Sequence, residues 1–300
     1  MALKDIKAKI KATERMNKVT RAMEAVSAVK MRKTQSTALA GRSYARAALS
    51  ILGRLSGTEH VAKHPLSSER EYKRVALVVM TSDKGLAGSL NSSVVKRALE
   101  AVSEFTPTQV SVYAYGKKGA EFFKNRGYTI AEVFENKQDL IDIKDMEVLS
   151  SELTRGFLAS EFDKVTVVYS NFKSTFEQVA TERRLLPLSM GALTDIVEGI
   201  IPVKGKWSET KKVAAPASYA VESSTDDVLM ELIPRLTAVA LYHMLLESKA
   251  SEHSARMVAM KNASDKSKEV VRDLTRKYNK VRQAAITREV SEIISGSLVT

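Results

Sequence analysis

The chain contains no cysteine. Disulfides, thiolate zinc sites and thiol catalysis are therefore excluded. It has no run of eighteen apolar residues, so no transmembrane helix is expected. The opening Met1-Ala2-Leu3-Lys4 passes straight into helical pattern and lacks the apolar core of a signal peptide. A soluble cytoplasmic protein is the default expectation. Aromatic residues make up only 6% of the chain. Helix breakers are scarce at the C-terminal end: no proline follows Pro234, and Gly296 is the one glycine beyond it. Pro234 to Thr300 thus reads as a single helix of ~97 Å at ~1.5 Å per residue. A globule of 300 residues cannot cover a helix of that length, which must pair with another long helix or run through a partner. Leu3 to Leu55 reads as a second nearly unbroken helix.

The net charge of +12 is unevenly spread. Residues 1–56 hold 13 Lys/Arg against 3 Asp/Glu, and residues 234–300 hold 12 against 7. The two helices are basic at +10 and +5, which leaves −3 for the middle. A basic helix calls for a negatively charged partner: acidic protein, nucleic acid or anionic lipid.

In the first helix, apolar or small residues recur at Leu3, Ile6, Ile10, Thr13, Met16, Val19, Met23 and Val26. The steps of three and four are those of a helix seam, with one extra three-step near Met16 that would overwind a coiled coil locally. Gly41 weakens the helix, and Gly53 and Gly57 are stop signals. A loop from Gly57 to Arg70 follows. The period then changes. Val75–Met80 is a buried strand, Ser89–Glu104 a helix, Gln109–Tyr115 a strand and Lys117–Arg126 a helix. Thr129–Phe134 is a strand, Asp145–Phe162 a helix and Lys164–Ser170 a strand. Gln178–Leu186 is a last strand, antiparallel to the one before. Strands alternating with helices argue for a mostly parallel sheet with helices on its faces. Residues 189–222, which include Trp207, read as irregular connection. Asp226–Ile233 is helical, and Pro234 should kink the start of the long helix.

Few motifs suggest chemistry. Thr81-Ser-Asp-Lys-Gly-Leu-Ala-Gly-Ser-Leu-Asn91 joins a strand to a helix, where phosphate-binding loops sit. It matches neither glycine-rich phosphate motif, and Lys84 precedes the glycines, so a tight turn is the better reading. His60 and His64 are four apart but lie in the Pro65 loop, where exposed histidines are expected rather than a metal site. His243 and His253 are expected to be packed or exposed, not catalytic. Asp226-Asp227 fit a helix N-terminus. No catalytic, cofactor or metal site is expected. Met16, Met23, Met31, Met244, Met257 and Met260 are mostly filler between the two helices, or else a soft surface that packs against more than one shape.

The segment Met16-Asn-Lys-Val-Thr-Arg-Ala-Met-Glu-Ala-Val-Ser-Ala-Val-Lys-Met-Arg-Lys33 resembles the N-terminal helix of the gamma subunits of F-type ATP synthases. So do Ala250–Asp265, Tyr278–Glu289 and Glu292–Gly296, and the loop Thr81–Asn91. The match keeps family order along the whole chain. Ala87 and Ser89 stand where family members often have Cys and Gly. The cysteine-bearing regulatory insertion of the chloroplast form is missing, and a chain without cysteine has no thiol regulation.

The resemblance implies an α/β protein with a long antiparallel coiled coil of N- and C-terminal helices plus a Rossmann-like α/β middle domain. The implied domains are residues 1–57, 70–188, a connecting segment 189–225, and 226–300. The implied role is the central rotor shaft that couples ion flow through the c-ring to ATP synthesis or hydrolysis in a ring of three alpha and three beta subunits. The chain itself would be non-catalytic and hold no cofactor. Its implied partners are the alpha, beta and epsilon subunits and the c-ring, with the delta subunit in the same complex. Neither nucleic acid nor direct membrane insertion is implied. By residue match, Met23 faces an acidic lever loop of beta, and Arg282, Gln283, Thr287 and Glu289 form a polar cluster that hydrogen-bonds to beta near the tip. With no transit peptide, the expected location is the cytoplasmic face of a bacterial inner membrane, the mitochondrial matrix face being the alternative. Without the resemblance, the residues leave two other readings open. One is a basic coiled coil on nucleic acid, though no basic-zipper pattern or aromatic interleaving supports it. The other is an enzyme with a nucleotide site in the middle domain.

Overall fold

The computed structural model describes residues 3–40, 64–136, 143–188 and 225–297. Its elements are α1 (Leu3–Ala40), β1 (Val75–Met80), α2 (Leu90–Ala101), β2 (Val110–Tyr115), α3 (Lys117–Lys124), β3 (Thr129–Phe134), α4 (Ile143–Leu158), β4 (Lys164–Phe172), β5 (Gln178–Leu186) and α5 (Thr225–Ser297). They form two compact units, residues 29–255 and residues 1–28 with 256–300. The first part of α1 and the last part of α5 belong to the second unit.

In the unit of residues 29–255 the strands form one sheet in the order β3-β2-β1-β4-β5. β1 pairs in parallel with β2 and β4, β2 in parallel with β3, and β5 is antiparallel to β4. The central place of β1 follows from its composition: every residue of Val-Ala-Leu-Val-Val-Met is buried, as a strand covered on both faces must be. Val75, Leu77 and Val79 point to a core shared with Val94 and Ala98 of α2 and Phe123 of α3. Ala76, Val78 and Met80 point the other way, to a core shared with Met146, Leu149, Leu153 and Phe157 of α4 and with Leu236, Ala240, Leu241, Met244 and Leu245 of α5. The base of α5 is therefore one of the layers that cover the sheet.

The strands Val75–Met80, Thr129–Phe134 and Gln178–Leu186 match their sequence ranges, and the helices end earlier than periodicity suggests. α2 stops at Ala101 instead of Glu104. α4 stops at Leu158 instead of Phe162, because Ser160 turns left-handed at φ 58°. The Ser160 amide then donates to the Phe157 carbonyl at 3.1 Å and the Glu161 amide to the Gly156 carbonyl at 2.8 Å, a Schellman closure. α5 stays helical from Thr225 through Pro234, so the helical stretch expected at Asp226–Ile233 is its first turns. The stop signals Gly53 and Gly57, the weak point Gly41, and segment 189–222 lie outside the described residues.

A clasp closes the amino end of the sheet. Arg70 Nε lies 3.1 Å from Asp163 Oδ1. Its guanidinium donates to the carbonyls of Phe157 and Phe162 at 2.6 and 2.8 Å and sits 4.4 Å above the Phe157 ring. Asp163 Oδ2 accepts from the amides of Lys73 and Arg74, each at 3.0 Å. The segment leading into β1 is thus tied to the α4–β4 turn by one ion pair and by hydrogen bonds to that turn's carbonyls and carboxylate. Arg70→Ala leaves Asp163 largely buried beside no cation. It is expected to cost about 2–3 kcal/mol, the range for a charged hydrogen-bond network that is part exposed. Thermal unfolding of the intact chain measures it, and a melting temperature equal to wild type refutes the clasp.

On the edge strand, the Glu132 carboxyl is pushed up to about 7 from 4.5, first by a hydrogen bond with Glu152 and then by partial desolvation and the Glu152 charge. The folded chain therefore keeps a proton that the unfolded chain has lost above its ordinary carboxylate range. This contribution to stability is complete below about pH 4.5 and disappears as pH rises through about 7. Glu132→Gln is expected to flatten the stability profile across that window. A variant as steeply pH-dependent as wild type refutes the shared proton.

Candidate functional site

The carboxyl end of the sheet is where a doubly wound fold holds a nucleotide, and here the chain's own groups close it. Thr81 Oγ1 accepts from the Gly119 amide at 2.8 Å, and Asp83 Oδ1 from the Lys117 amide at 2.9 Å. Two amides at the start of α3 are thereby used. At the turn after β1, the Ser82 amide donates to Asn91 Oδ1 at 3.0 Å, and Asn91 Nδ2 donates to Ser82 Oγ at 2.8 Å. Gly116 has φ 104°, and a Cβ there would meet the Thr81 carbonyl oxygen at 2.1 Å, so only glycine allows this approach. Within the turn, Ala87 is buried and Ser89 is the N-cap of α2.

α5 passes over the same edge. Lys249 Nζ donates to the Asn136 carbonyl at 3.3 Å. Ser251 Oγ donates to the Ser170 carbonyl at 2.9 Å, and Ser254 Oγ to the Thr175 carbonyl at 2.6 Å. His243 and His253 are buried in this part of α5. His64, expected to be exposed, is also buried. Its Nδ1 accepts from the Leu66 amide at 3.2 Å, capping the short turn Pro65–Ser67, and burial lowers its pKa. His60 lies outside the described residues. Among the described residues no three His, Asp or Glu gather as metal ligands.

The remaining candidate surface is the paired helices of the other unit. The buried positions of α1 there are Ile6, Thr20 and Ser27, with Leu3, Ile10, Thr13 and Asn17 half-buried. On α5 they are Met260, Ser264 and Ser267, with Met257, Val271, Leu274, Tyr278 and Val281 half-buried. The steps alternate three and four from Leu3 to Thr20 on α1 and from Met257 to Val281 on α5; Ser27 follows Thr20 by seven, with Met23 and Glu24 both half-buried between them. The expected overwinding step near Met16 is absent, because the seam leaves the apolar residues after Thr13 and continues through Asn17 and Thr20. Met16, Val19 and Val26 are 60%, 58% and 53% exposed. They form a bare apolar stripe beside the seam, with half-buried Met23 within it. Met31, Met244 and Met260 are packed, as filler methionines should be.

Asn17 Nδ2 donates to Ser264 across the seam. Leu3 and Tyr278 lie fourteen residues from this pair in opposite chain directions, so antiparallel pairing sets them level. Arg282, Gln283, Thr287 and Glu289 are all exposed and lie beyond that level, past the start of α1. Met23 is level with about residue 258, some ~36 Å along the axis from Arg282 at 1.5 Å per residue. The five expected contact residues thus occupy two stations, one beside the seam and one on a single helix. Sequence reasoning missed Val19 and Val26 as surface residues; for Met16 the soft-surface reading, not the filler one, holds. A seam held to a strict heptad through the polar Asn17 and Thr20 would have found them.

A family model described as ATP synthase matches residues 2–298. A curated ATP synthase gamma chain from Roseiflexus castenholzii is 40% identical over 98% of this chain and 97% of its own. One from Pelotomaculum thermopropionicum is 38% identical over 99% and 98%. The chain belongs to the ATP synthase gamma chain family. Among solved structures it is similar to a chain of the central stalk and c-ring assembly of the Tetrahymena thermophila mitochondrial ATP synthase. There the TM-score is 0.60 at 27% identity, over 82% of this chain and 99% of that one. A chain of the Euglena gracilis enzyme shares the fold at TM-score 0.65 and 16% identity, over 99% and 94%.

For this gamma chain family member the exposed stripe has a direct consequence. Replacing Met16, Val19 and Val26 together by serine is expected to change the stability of the isolated chain by less than about 1 kcal/mol, as exposed sites do. Ile6→Ala, in the seam, is expected to cost about 2–4 kcal/mol. Calorimetry of both variants checks the assignment, and a triple variant that destabilises as much as Ile6→Ala returns the stripe to the seam.

Proposed function

We propose that this chain is the central rotor shaft of an F-type ATP synthase, carrying torque between a membrane c-ring and a ring of three alpha and three beta subunits. The observation that carries the reading is the pairing of a bare apolar stripe with basic charge on α1, in a chain that matches gamma chains end to end. A shaft that meets three equivalent partners in turn needs contacts that are adaptable and individually weak. Methionine and long basic side chains provide that. Beta is the partner at Met23 through an acidic lever loop, and again at Arg282, Gln283, Thr287 and Glu289 near the tip. The residue 70–188 domain faces epsilon and the c-ring, delta belongs to the same complex, and the chemistry is done in the beta subunits. No helix among the described residues is long and apolar enough to cross a membrane. The shaft would work at the cytoplasmic face of a bacterial membrane without entering it.

The test is reconstitution with alpha and beta subunits and then with the membrane sector. One copy of this chain per three beta subunits, with strongly raised ATP turnover, is the expected result. A chain that stays outside a properly folded ring refutes the reading. In the full enzyme, Met23→Lys adds a cation that competes for acidic groups on beta. It is expected to lower the ions pumped per ATP hydrolysed by roughly two- to fivefold, the size of one added rim charge. An unchanged ratio removes Met23 from the coupling contact.

A further inference from the structure

Between Thr13 and Ser27 the seam of α1 carries hydroxyls and an amide in place of aliphatic side chains. Several seam hydroxyls of α1 and α5 bond their own helix. Thr20 Oγ1 donates to the Met16 and Asn17 carbonyls at 3.1 and 3.0 Å. Ser267 Oγ donates to the Ala263 carbonyl at 2.7 Å. Such bonds satisfy the hydroxyl and add nothing across the seam. Asn17 differs. Its Nδ2 reaches the Ser264 carbonyl at 2.6 Å and Ser264 Oγ at 3.0 Å on the other helix.

A strict heptad seam repeats when one helix slides by seven residues, ~10.5 Å along the axis. Small side chains such as Thr20, Ser27 and Ser267 discriminate poorly between the two alignments, since few apolar contacts change. The half-buried Asn17 amide does discriminate, through the Ser264 hydroxyl. In a slipped alignment Asn17 would face Met257 or Val271, whose main-chain carbonyls still accept but whose side chains offer nothing in place of the Ser264 hydroxyl at 3.0 Å.

We infer that Asn17 is a positioning residue that locks the axial register of the two shaft helices, and with it the spacing between the Met16–Val26 stripe and the Arg282–Glu289 station. Its register role stands on geometry alone, and its consequence for coupling rests on the rotor reading.

The absence of native cysteine gives a clean test. In the full-length chain, a Thr20→Cys/Met260→Cys pair reports the observed register. A Thr20→Cys/Ser267→Cys pair reports one slipped by a heptad. Oxidation is expected to close the first pair and leave the second open. Asn17→Leu is expected to raise closure of the second by roughly fivefold or more, as the loss of a register-setting polar residue does in coiled coils. Asn17→Ala, too small to overpack, is read the same way. The exchange Asn17→Ser with Ser264→Asn moves the amide to the other helix and is expected to restore the first pattern. In the assembled enzyme, Asn17→Leu is expected to lower ions pumped per ATP while hydrolysis stays within roughly twofold, and the exchange to recover the ratio. An unchanged cross-linking pattern in both Asn17 variants overturns the register assignment, whatever the complex does. A shifted pattern with an unchanged pumping ratio overturns the link to coupling. A wild-type chain that never joins the ring bears on the rotor reading alone.

Discussion

One helix has to bury two surfaces of different shape, and the rest of the chain is arranged around that demand. α5 is 73 residues long, ~110 Å at 1.5 Å per residue. From Leu236 to Ser254 nearly every residue is buried, as in a helix enclosed on all sides. Beyond Arg256 burial recurs only every three or four residues, as in a two-helix seam. The composition changes to match. Leu241, Met244, Leu245 and Leu246 fill one face of the sheet, whereas Ser264 and Ser267 occupy seam positions where a partner helix must come close. On the open side of the second segment, Lys266 pairs with Glu269 at 2.7 Å and Arg288 with Glu292 at 2.8 Å. The Lys266–Glu269 hydrogen bond raises one pKa and lowers the other. These pairs are exposed and act mainly as local support for the helix.

The enclosed segment also changes what the sheet can do. Its strand order and parallel core are those of a doubly wound fold, and such folds hold ligands at the carboxyl ends of their strands. Here Lys249, Ser251 and Ser254 of α5 use carbonyls at or just beyond that edge, while Thr81, Asp83 and Asn91 use the amides of the adjoining turns. The sheet thereby becomes a mount for a helix. Fold likeness alone would have pointed to nucleotide chemistry, and the hydrogen bonds argue against carrying it over.

The sequence revealed most where burial and apolarity coincide. β1 is apolar at every position and buried at every position, and its range was legible to the residue. Helix ends were less so. The stop of α4 depends on Ser160 in a left-handed conformation that favours glycine, and no pattern marks a serine for it. His64 shows a different limit. Its loop reads as polar, yet the ring caps a turn next to Leu66, which lies in the main core. The seam of α1 failed in the most instructive way. Met16, Val19 and Val26 are more apolar than Asn17, Thr20 and Ser27, so a search for hydrophobic spacing follows the first set and needs an irregular step to do it. The molecule buries Thr20 and Ser27 and half-buries Asn17, and the steps stay regular from Leu3 to Thr20.

That inversion has a physical logic. Two helices approach closely only where side chains are small, and hydroxyls that bond back to their own carbonyls carry little polar penalty into such a seam. Aliphatic residues displaced from the seam then lie on the outer face. There they would be a liability in a monomer but an asset in a part surrounded by other subunits. The arrangement divides the work by chemistry. Apolar side chains face outward, where contact must be adaptable, and they attract without direction. The amide of Asn17 faces inward, and its bond to the Ser264 hydroxyl is made in one alignment only. A seam of leucines would pack more apolar area but would leave neighbouring alignments nearly equal in energy. For a shaft, the directional contact is the more useful one.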